Sequence, residues 1–210
     1  MDELNQLSRR SFLQQASSAA VLLPAIAVPT FLGCNKEGAF AADENKSLSW
    51  KTALVADSEP GDPLVISGTI FGPDGKTPTE SALLWVYQTD ATGRYSYSVD
   101  GDHRYTRIHG QMKTGGDGHY EFRTIKPMPY PGHTVPAHIH ASLSAPGFHE
   151  YWIDNYLFEG DPFITDDIRK QSRGEGTFAS ILKVTRGSDG VLRATRDIQL
   201  ERCNERCVKH

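Results

Sequence analysis

Turn signals cut the chain beyond residue 60 into short apolar runs, and no segment there sustains a convincing helical period, which excludes a helical bundle. Leu64 to Phe71 alternates and ends in Gly72-Pro73-Asp74-Gly75, and Leu83 to Gln88 is a continuous apolar run ending in Asp90-Ala91-Thr92-Gly93. Gly115-Gly116-Asp117-Gly118 launches His119 to Ile125, with Tyr120, Phe122 and Thr124 on one face. His138 to Leu143 is a further strand. Thr177 to Val184 and Val191 to Leu200 flank Arg186-Gly187-Ser188-Asp189-Gly190 and read as a closing hairpin, while Asp166 to Gln171 reads as one or two helical turns. The spacing predicts an all-β fold, one β-sandwich domain over 61–210, preceded by a linker and N-terminal extension over 42–60.

Residues 1–41 read as an export tag. Ser8-Arg9-Arg10-Ser11-Phe12-Leu13 resembles the twin-arginine signature, and Ser11 to Asn35 is a run of twenty-five residues without a charge. The run is long enough to span a bilayer, so an uncleaved anchor is the competing reading, weakened by Pro24, Pro29 and the abundance of Ala and Ser. Two cleavage sites compete: Phe31-Leu32-Gly33-Cys34 resembles a lipobox, which would make Cys34 the acylated residue, and Ala39-Phe40-Ala41 suits ordinary signal peptidase. The expected location is the periplasm or, through lipid on Cys34, a membrane surface. Cys203 and Cys207 would then form an even pair whose disulfide requires a non-helical C-terminus, since residues four apart on a helix hold their Cβ atoms too far apart. A metal reading of that pair has His210 as its one nearby third ligand. The net charge of −4, with both signs interspersed, excludes a broad cationic face for nucleic acid.

Seven of the eight histidines fall between His103 and His149. The tightest cluster is Pro136-Ala137-His138-Ile139-His140, and on a strand the two imidazoles share a face about 7 Å apart at the backbone. Such pairs also occur on solvated strand faces. Tyr95 and Tyr130 stand in loops at strand ends, where a buried structural tyrosine is the ordinary reading. Two phenolates and two imidazoles nonetheless suit a ferric ion, because hard anionic oxygens stabilise the trivalent state.

These residues resemble the intradiol ring-cleavage dioxygenases, typified by the catechol and protocatechuate dioxygenases. The resemblance runs from about Leu64 to Ile164 and rests on four motifs in the family's order. They are Leu84-Trp85-Val86-Tyr87-Gln88-Thr89-Asp90 leading into Gly93-Arg94-Tyr95-Ser96, then Gly118-His119-Tyr120-Glu121-Phe122-Arg123 leading into Pro129-Tyr130-Pro131, then Pro136 to His140, then Phe158-Glu159-Gly160-Asp161-Pro162. The resemblance implies a sandwich of two mixed sheets with a metal site at one edge, and Tyr95, Tyr130, His138 and His140 as ligands of a non-haem Fe(III). It implies a catechol bound through both oxygens, Tyr130 as the displaceable ligand and proton acceptor, and O2 attacking the ring to give a muconate-type diacid. A homo-oligomer is compatible with it.

Two positions depart from the family's pattern. Val135 stands where the family usually carries an arginine, three residues before the first histidine ligand, and Asn155 where it often has a glutamine. Losing a preorganised cation removes transition-state stabilisation; Arg94, Arg104, Arg107, Arg123 and His133 are the candidate substitutes. Pocket-lining loops are expected over Val99 to Met112 and Phe148 to Tyr156, where Tyr97, Tyr105, His109 and Tyr151 either line the pocket or cover the sheet edge. The competing readings are a transthyretin-like or carboxypeptidase-regulatory-like binding module, suggested by Gly68 to Tyr95, and a metal-binding homologue of reduced activity.

Overall fold

The computed structural model describes residues 48–96 and 106–201. The twin-arginine segment, Cys34, Cys203, Cys207 and His210 lie outside the described residues, as do Tyr97, Arg104 and Tyr105. Among the described residues twelve strands form two six-stranded sheets, β1 (Lys51–Ala53), β2 (Pro63–Phe71), β3 (Leu83–Gln88), β4 (His109–Lys113), β5 (His119–Ile125), β6 (His138–Ala145), β7 (Phe148–Trp152), β8 (Tyr156–Phe158), β9 (Ile181–Leu182), β10 (Thr185–Arg186), β11 (Leu192–Thr195) and β12 (Ile198–Gln199). The first sheet runs β1-β5-β2-β11-β10, with β12 also on β2; the second runs β4-β3-β6-β8-β9, with β7 also on β6. Both are mixed, since β1/β5, β2/β11, β2/β12 and β8/β9 are parallel and the other pairs antiparallel.

Alternation decides which residues meet between the sheets. Leu64, Ile66 and Ile70 of β2 and Tyr120 and Phe122 of β5 face Leu84 and Val86 of β3, Ile139, Ala141 and Leu143 of β6, and Tyr156 and Phe158 of β8, all in one buried cluster. A polar side chain crosses this layer at the end of β3. Gln88, 1% exposed at the end of β3, donates from Nε2 to Ile125 O (2.8 Å) and Thr89 O (3.2 Å), and its Oε1 accepts from Thr124 Oγ1 (3.0 Å). Ile125 and Thr124 belong to β5, so the carboxamide ties the second sheet to the first. Strand β2 shows a second constraint at Gly68, where a Cβ would lie 1.8 Å from the Arg196 carbonyl oxygen. That carbonyl intrudes because β11 and β12 are broken at Arg196 and Asp197, where the Asp197 carboxylate accepts from Thr69 N (2.8 Å) in place of a main-chain group.

Several expectations change. Thr177–Val184 is not one strand: Gly176–Phe178 is a 3₁₀ turn, β9 joins the second sheet beside β8, and the hairpin onto β11 is made by Thr185–Arg186. The segment leaves one sheet for the other, a change of partner that apolar content does not encode. Val99–Met112 ends in strand β4, paired with β3, and Phe148–Trp152 is a strand that pairs with β6. Tyr151 faces the core at 5% exposure, and its Oη accepts from Glu201 N (3.0 Å), so it does not line a surface pocket. The sheet begins at Lys51, with Leu54 in the core. The helix α1 (Asp166–Gln171) is present, capped by Thr165 Oγ1, and among the described residues no helix is long and apolar enough to cross a membrane.

Gln88→Leu keeps the volume and removes the clamp, leaving the Ile125 carbonyl and the Thr124 hydroxyl buried without that partner. We expect it to lower unfolding free energy by about 1–3 kcal/mol for each group left unpaired, measured by urea unfolding against the unsubstituted chain.

Candidate metal centre

Strands β3 and β6 run antiparallel, so the end of one lies beside the start of the other, and Tyr87 pairs with His140. His140 projects from the face of the second sheet turned away from the core, where the Tyr87 ring stacks on it at 4.5 Å and 19°. His138, two residues earlier, shares that direction. The two Nε2 atoms lie 3.0 Å apart and the rings stand nearly perpendicular, at 86°.

Tyr95 and Tyr130 arrive on two loops stitched to each other. Asp90 shapes the first: its Oδ1 accepts from Thr92 N (2.8 Å), Thr92 Oγ1 (2.7 Å) and Arg94 N (3.1 Å). Thr89 Oγ1 donates to Met128 O (2.8 Å), and Met128 N donates to Asp90 O (3.4 Å), which draws the second loop in. Gly93, at φ +75°, allows the closest approach; a Cβ there would lie 2.0 Å from Pro129 O. The result brings Tyr95 Oη within 2.8 Å of Tyr130 Oη, and Tyr130 Oη within 3.1 Å of His138 Nε2 and 3.4 Å of His140 Nε2. The four residues singled out by the sequence are therefore brought together, Tyr95 through its contact with Tyr130 and the other three in mutual contact.

The partners of the other ring nitrogens decide which lone pairs point inward. His138 Nδ1 lies 2.7 Å from Pro136 O and His140 Nδ1 lies 3.1 Å from Asn155 Oδ1. Carbonyl and carboxamide oxygens only accept, so both Nδ1 atoms carry the proton and both Nε2 atoms present lone pairs. Burial also lowers the His138 pKa, against the opposing pull of the Pro136 carbonyl and the Asp161 carboxylate. Two facing lone pairs and two phenol oxygens about 3 Å apart form a donor set that fits a small, highly charged cation. Among the described residues no group of three or more His, Cys, Asp or Glu side chains gathers elsewhere to compete with it.

The role of the Phe158-to-Pro162 motif is not evident from sequence. The Asp161 carboxylate accepts from Ala137 N (2.9 Å) and Phe163 N (2.9 Å), pinning the residue that precedes His138. Asn155, singled out through the resemblance, stands directly against His140 rather than free in the loop. Val135 is 40% exposed. Of the proposed substitutes for a cation there, Arg107 is held by Glu59 (2.7 Å on both oxygens) and Arg123 by Asp57 (3.0 Å). The His133 ring stands edge-on to Tyr130, 6.2 Å between centroids. His109 instead stacks on Trp85 (5.0 Å) along the same outer face.

The two tyrosines and two histidines thus stand together at one end of the second sheet of a mixed β-sandwich. The family model described as "Dioxygenase" matches residues 37–201, and the chain belongs to the intradiol dioxygenase family. It is 30% identical over 164 residues to catechol 1,2-dioxygenase 2 of Acinetobacter lwoffii, covering 70% of this chain and 53% of that protein, and 35% identical over 142 residues to catechol 1,2-dioxygenase 1 of the same organism, covering 60% and 45%. The chain thus spans about half the length of these curated relatives. Among solved structures it resembles the dioxygenase domain of a dioxygenase carbohydrate-binding protein fusion from Streptomyces sp. SirexAA-E, with TM-score 0.55, 30% identity, and coverage of 74% of this chain and 90% of that one.

Two predictions follow from the stitched loops. Gly93→Ala forces the Tyr95 turn off Pro129 and should remove most visible absorption on Fe(III) reconstitution while the far-UV circular dichroism of the sheets persists. Burial works to raise the Asp90 pKa, but the hydrogen bonds from Thr92 and from the Arg94 amide outweigh it and hold the carboxyl below its ordinary range. A carboxyl depressed in the fold contributes stability that is fully present above its unfolded value, ~3.9, and lost as pH falls through the folded value. Asp90→Asn, which keeps the accepting oxygen, should show a shallower loss of thermal midpoint below about pH 4 than the parent chain.

Proposed function

We propose that the protein is a non-haem Fe(III) intradiol dioxygenase that inserts O2 into a catechol-type aromatic, with Tyr95, Tyr130, His138 and His140 as the metal ligands. The observation that carries the reading is the meeting of two phenol oxygens and two Nε2 lone pairs within 2.8–3.4 Å. Fe(III) held by Tyr95, Tyr130, His138 and His140 would supply Lewis acidity to a catechol. One catechol and one O2 together contain every atom of the muconate-type diacid, so no external reductant is required.

The protein's own groups have separable tasks. Tyr130 is the hub, with its Oη against the other three donors, and its phenol oxygen is the group that would hold a proton from an incoming catechol hydroxyl. Asn155 and the Pro136 carbonyl fix the tautomers of the two histidines. Tyr87 covers one face of His140 and excludes water there. Val135 supports a second reading, a metal-binding homologue of reduced activity, because no positive side chain stands at that position to meet negative charge on the substrate. On residues alone we also propose export by the twin-arginine route, with Cys34 as the lipid-bearing residue of a periplasmic or membrane-tethered protein.

Reconstitution with iron and air should give a red-brown protein whose broad visible band shifts when catechol is added. Tyr130→Phe should change that band and cut oxygen uptake by about 10²-fold or more, the range for loss of a proton-transfer group. A colourless reconstituted protein would sink the assignment, and a coloured one with no oxygen uptake on any small catechol would favour the second reading.

A further inference from the structure

Arg196 sits in the break between β11 and β12 and is 5% exposed, yet among the described residues no carboxylate lies within ion-pair distance of its guanidinium. Its Nε is buried without a hydrogen-bond partner. A buried cation with an unfilled donor is costly to retain. Nη1 donates to the Asp154 carbonyl (2.8 Å), and the guanidinium carbon lies 4.3 Å from the centre of the Tyr156 ring. Those are the residues immediately before and after Asn155. The Asp154 carboxylate, which an arginine here would ordinarily claim, goes instead to Arg173 (3.2 Å).

The rest of the environment makes Arg196 a rigid anchor. Its amide donates to Ser67 O (2.9 Å), and its carbonyl accepts from Tyr120 Oη (2.6 Å) beside Gly68. Tyr120 Oη in turn lies 3.1 Å from Tyr156 Oη, which closes a circuit from Arg196 through both tyrosines. On the far side, Ile153 N donates to Ala141 O (3.1 Å) and Tyr156 pairs with Ile139, so the segment straddles His140 with Asn155 opposite it. The Asp154–Asn155 peptide is the one stretch between those two attachments, and Arg196 holds its carbonyl.

We propose that Arg196 is a positioning residue: by clamping both chain neighbours of Asn155 it holds the carboxamide against His140 Nδ1 and so keeps His140 Nε2 aimed at the metal. The inference rests on the ligand assignment above and adds to it a first-sheet residue that touches neither metal nor substrate. It acts at the level of ligand orientation, so its signature is coupling to Asn155 and not merely a change in stability.

The test is a double-mutant cycle on the full chain with Arg196→Met, Asn155→Ala and the pair, read in two ways. In the metal-free protein above the imidazole titration range, ¹⁵N NMR of the side chain reports the His140 tautomer. The parent should hold the proton on Nδ1, Arg196→Met should mix the tautomers, and adding Arg196→Met to Asn155→Ala should change nothing further. In Fe(III) titrations, Arg196→Met should weaken binding by about 10–100-fold, the range for loss of a group that orients a ligand, and by less than about twofold in the Asn155→Ala background. Arg196→Lys, still able to donate to the Asp154 carbonyl, should recover most of the affinity. Additive losses, or an Arg196→Met chain that melts lower with tautomer and affinity unchanged, would overturn the proposal. If the parent binds no Fe(III), the ligand assignment fails, and the tautomer cycle alone decides the role of Arg196. Should Arg196→Met not fold, Arg196→Gln enters the same cycle.

Discussion

A carboxamide between two apolar sheets is tolerable only when its hydrogen-bonding capacity is used, and Gln88 uses both ends of its side chain. Its bonds to Thr124 and Ile125 set the end of β3 against the end of β5, and both tyrosine loops of the candidate metal centre start from that junction. The residues after Gln88 turn through Asp90 to Tyr95, and the residues after Ile125 run through Met128 to Tyr130. A single buried amide therefore sets the starting points of both tyrosine loops. Thr89 and Gly93 complete the registration, one by a hydroxyl bond to Met128 O and the other by having no side chain where Pro129 O must pass.

The parts of this arrangement visible in the sequence are those governed by short-range periodicity. His138 and His140 could be placed on one face because a strand repeats every two residues, and Tyr120 and Phe122 could be assigned to the core for the same reason. The four motifs supplied the two tyrosines. What stayed hidden depends on contacts between segments far apart in the chain. Thr177 to Val184 was readable as apolar but not as a segment that changes sheets, and Phe148 to Trp152 carries two consecutive exposed residues, His149 and Glu150, which hide its alternation and made a strand resemble a loop. Lys51–Ala53 is too short to announce itself and owes its place to parallel pairing with β5. The roles of Asp161 and Arg196 carry no local signal, since each binds main-chain atoms of a distant segment, although Asp161 lies within the fourth motif.

The two histidines are oriented by different kinds of support. His138 is buried and bonded to a carbonyl two residues away, itself steadied by Asp161, so its geometry is nearly local to one turn and one motif. His140 is more exposed and depends on Asn155, the residue at which this chain departs from the family's glutamine. The shorter amide is consistent with its close seat against the imidazole. The second departure, Val135, lies out in solvent, and its neighbourhood offers the His133 ring beside Tyr130 rather than a guanidinium.

The donor atoms lie on the outward side of the second sheet, while the aliphatic and aromatic packing lies on the inward side. Substitutions in the chemistry are consequently almost invisible to the fold, and substitutions in the fold reach the chemistry through a few hydrogen bonds. Selection can therefore act on the two almost independently. A descendant of such a chain could exchange its reaction, or abandon it, within a handful of codons and still be the same sandwich. Shape alone is then a poor witness to whether a member of this lineage remains an enzyme, and the informative positions are the few, such as 135 and 155, where a side chain faces outward.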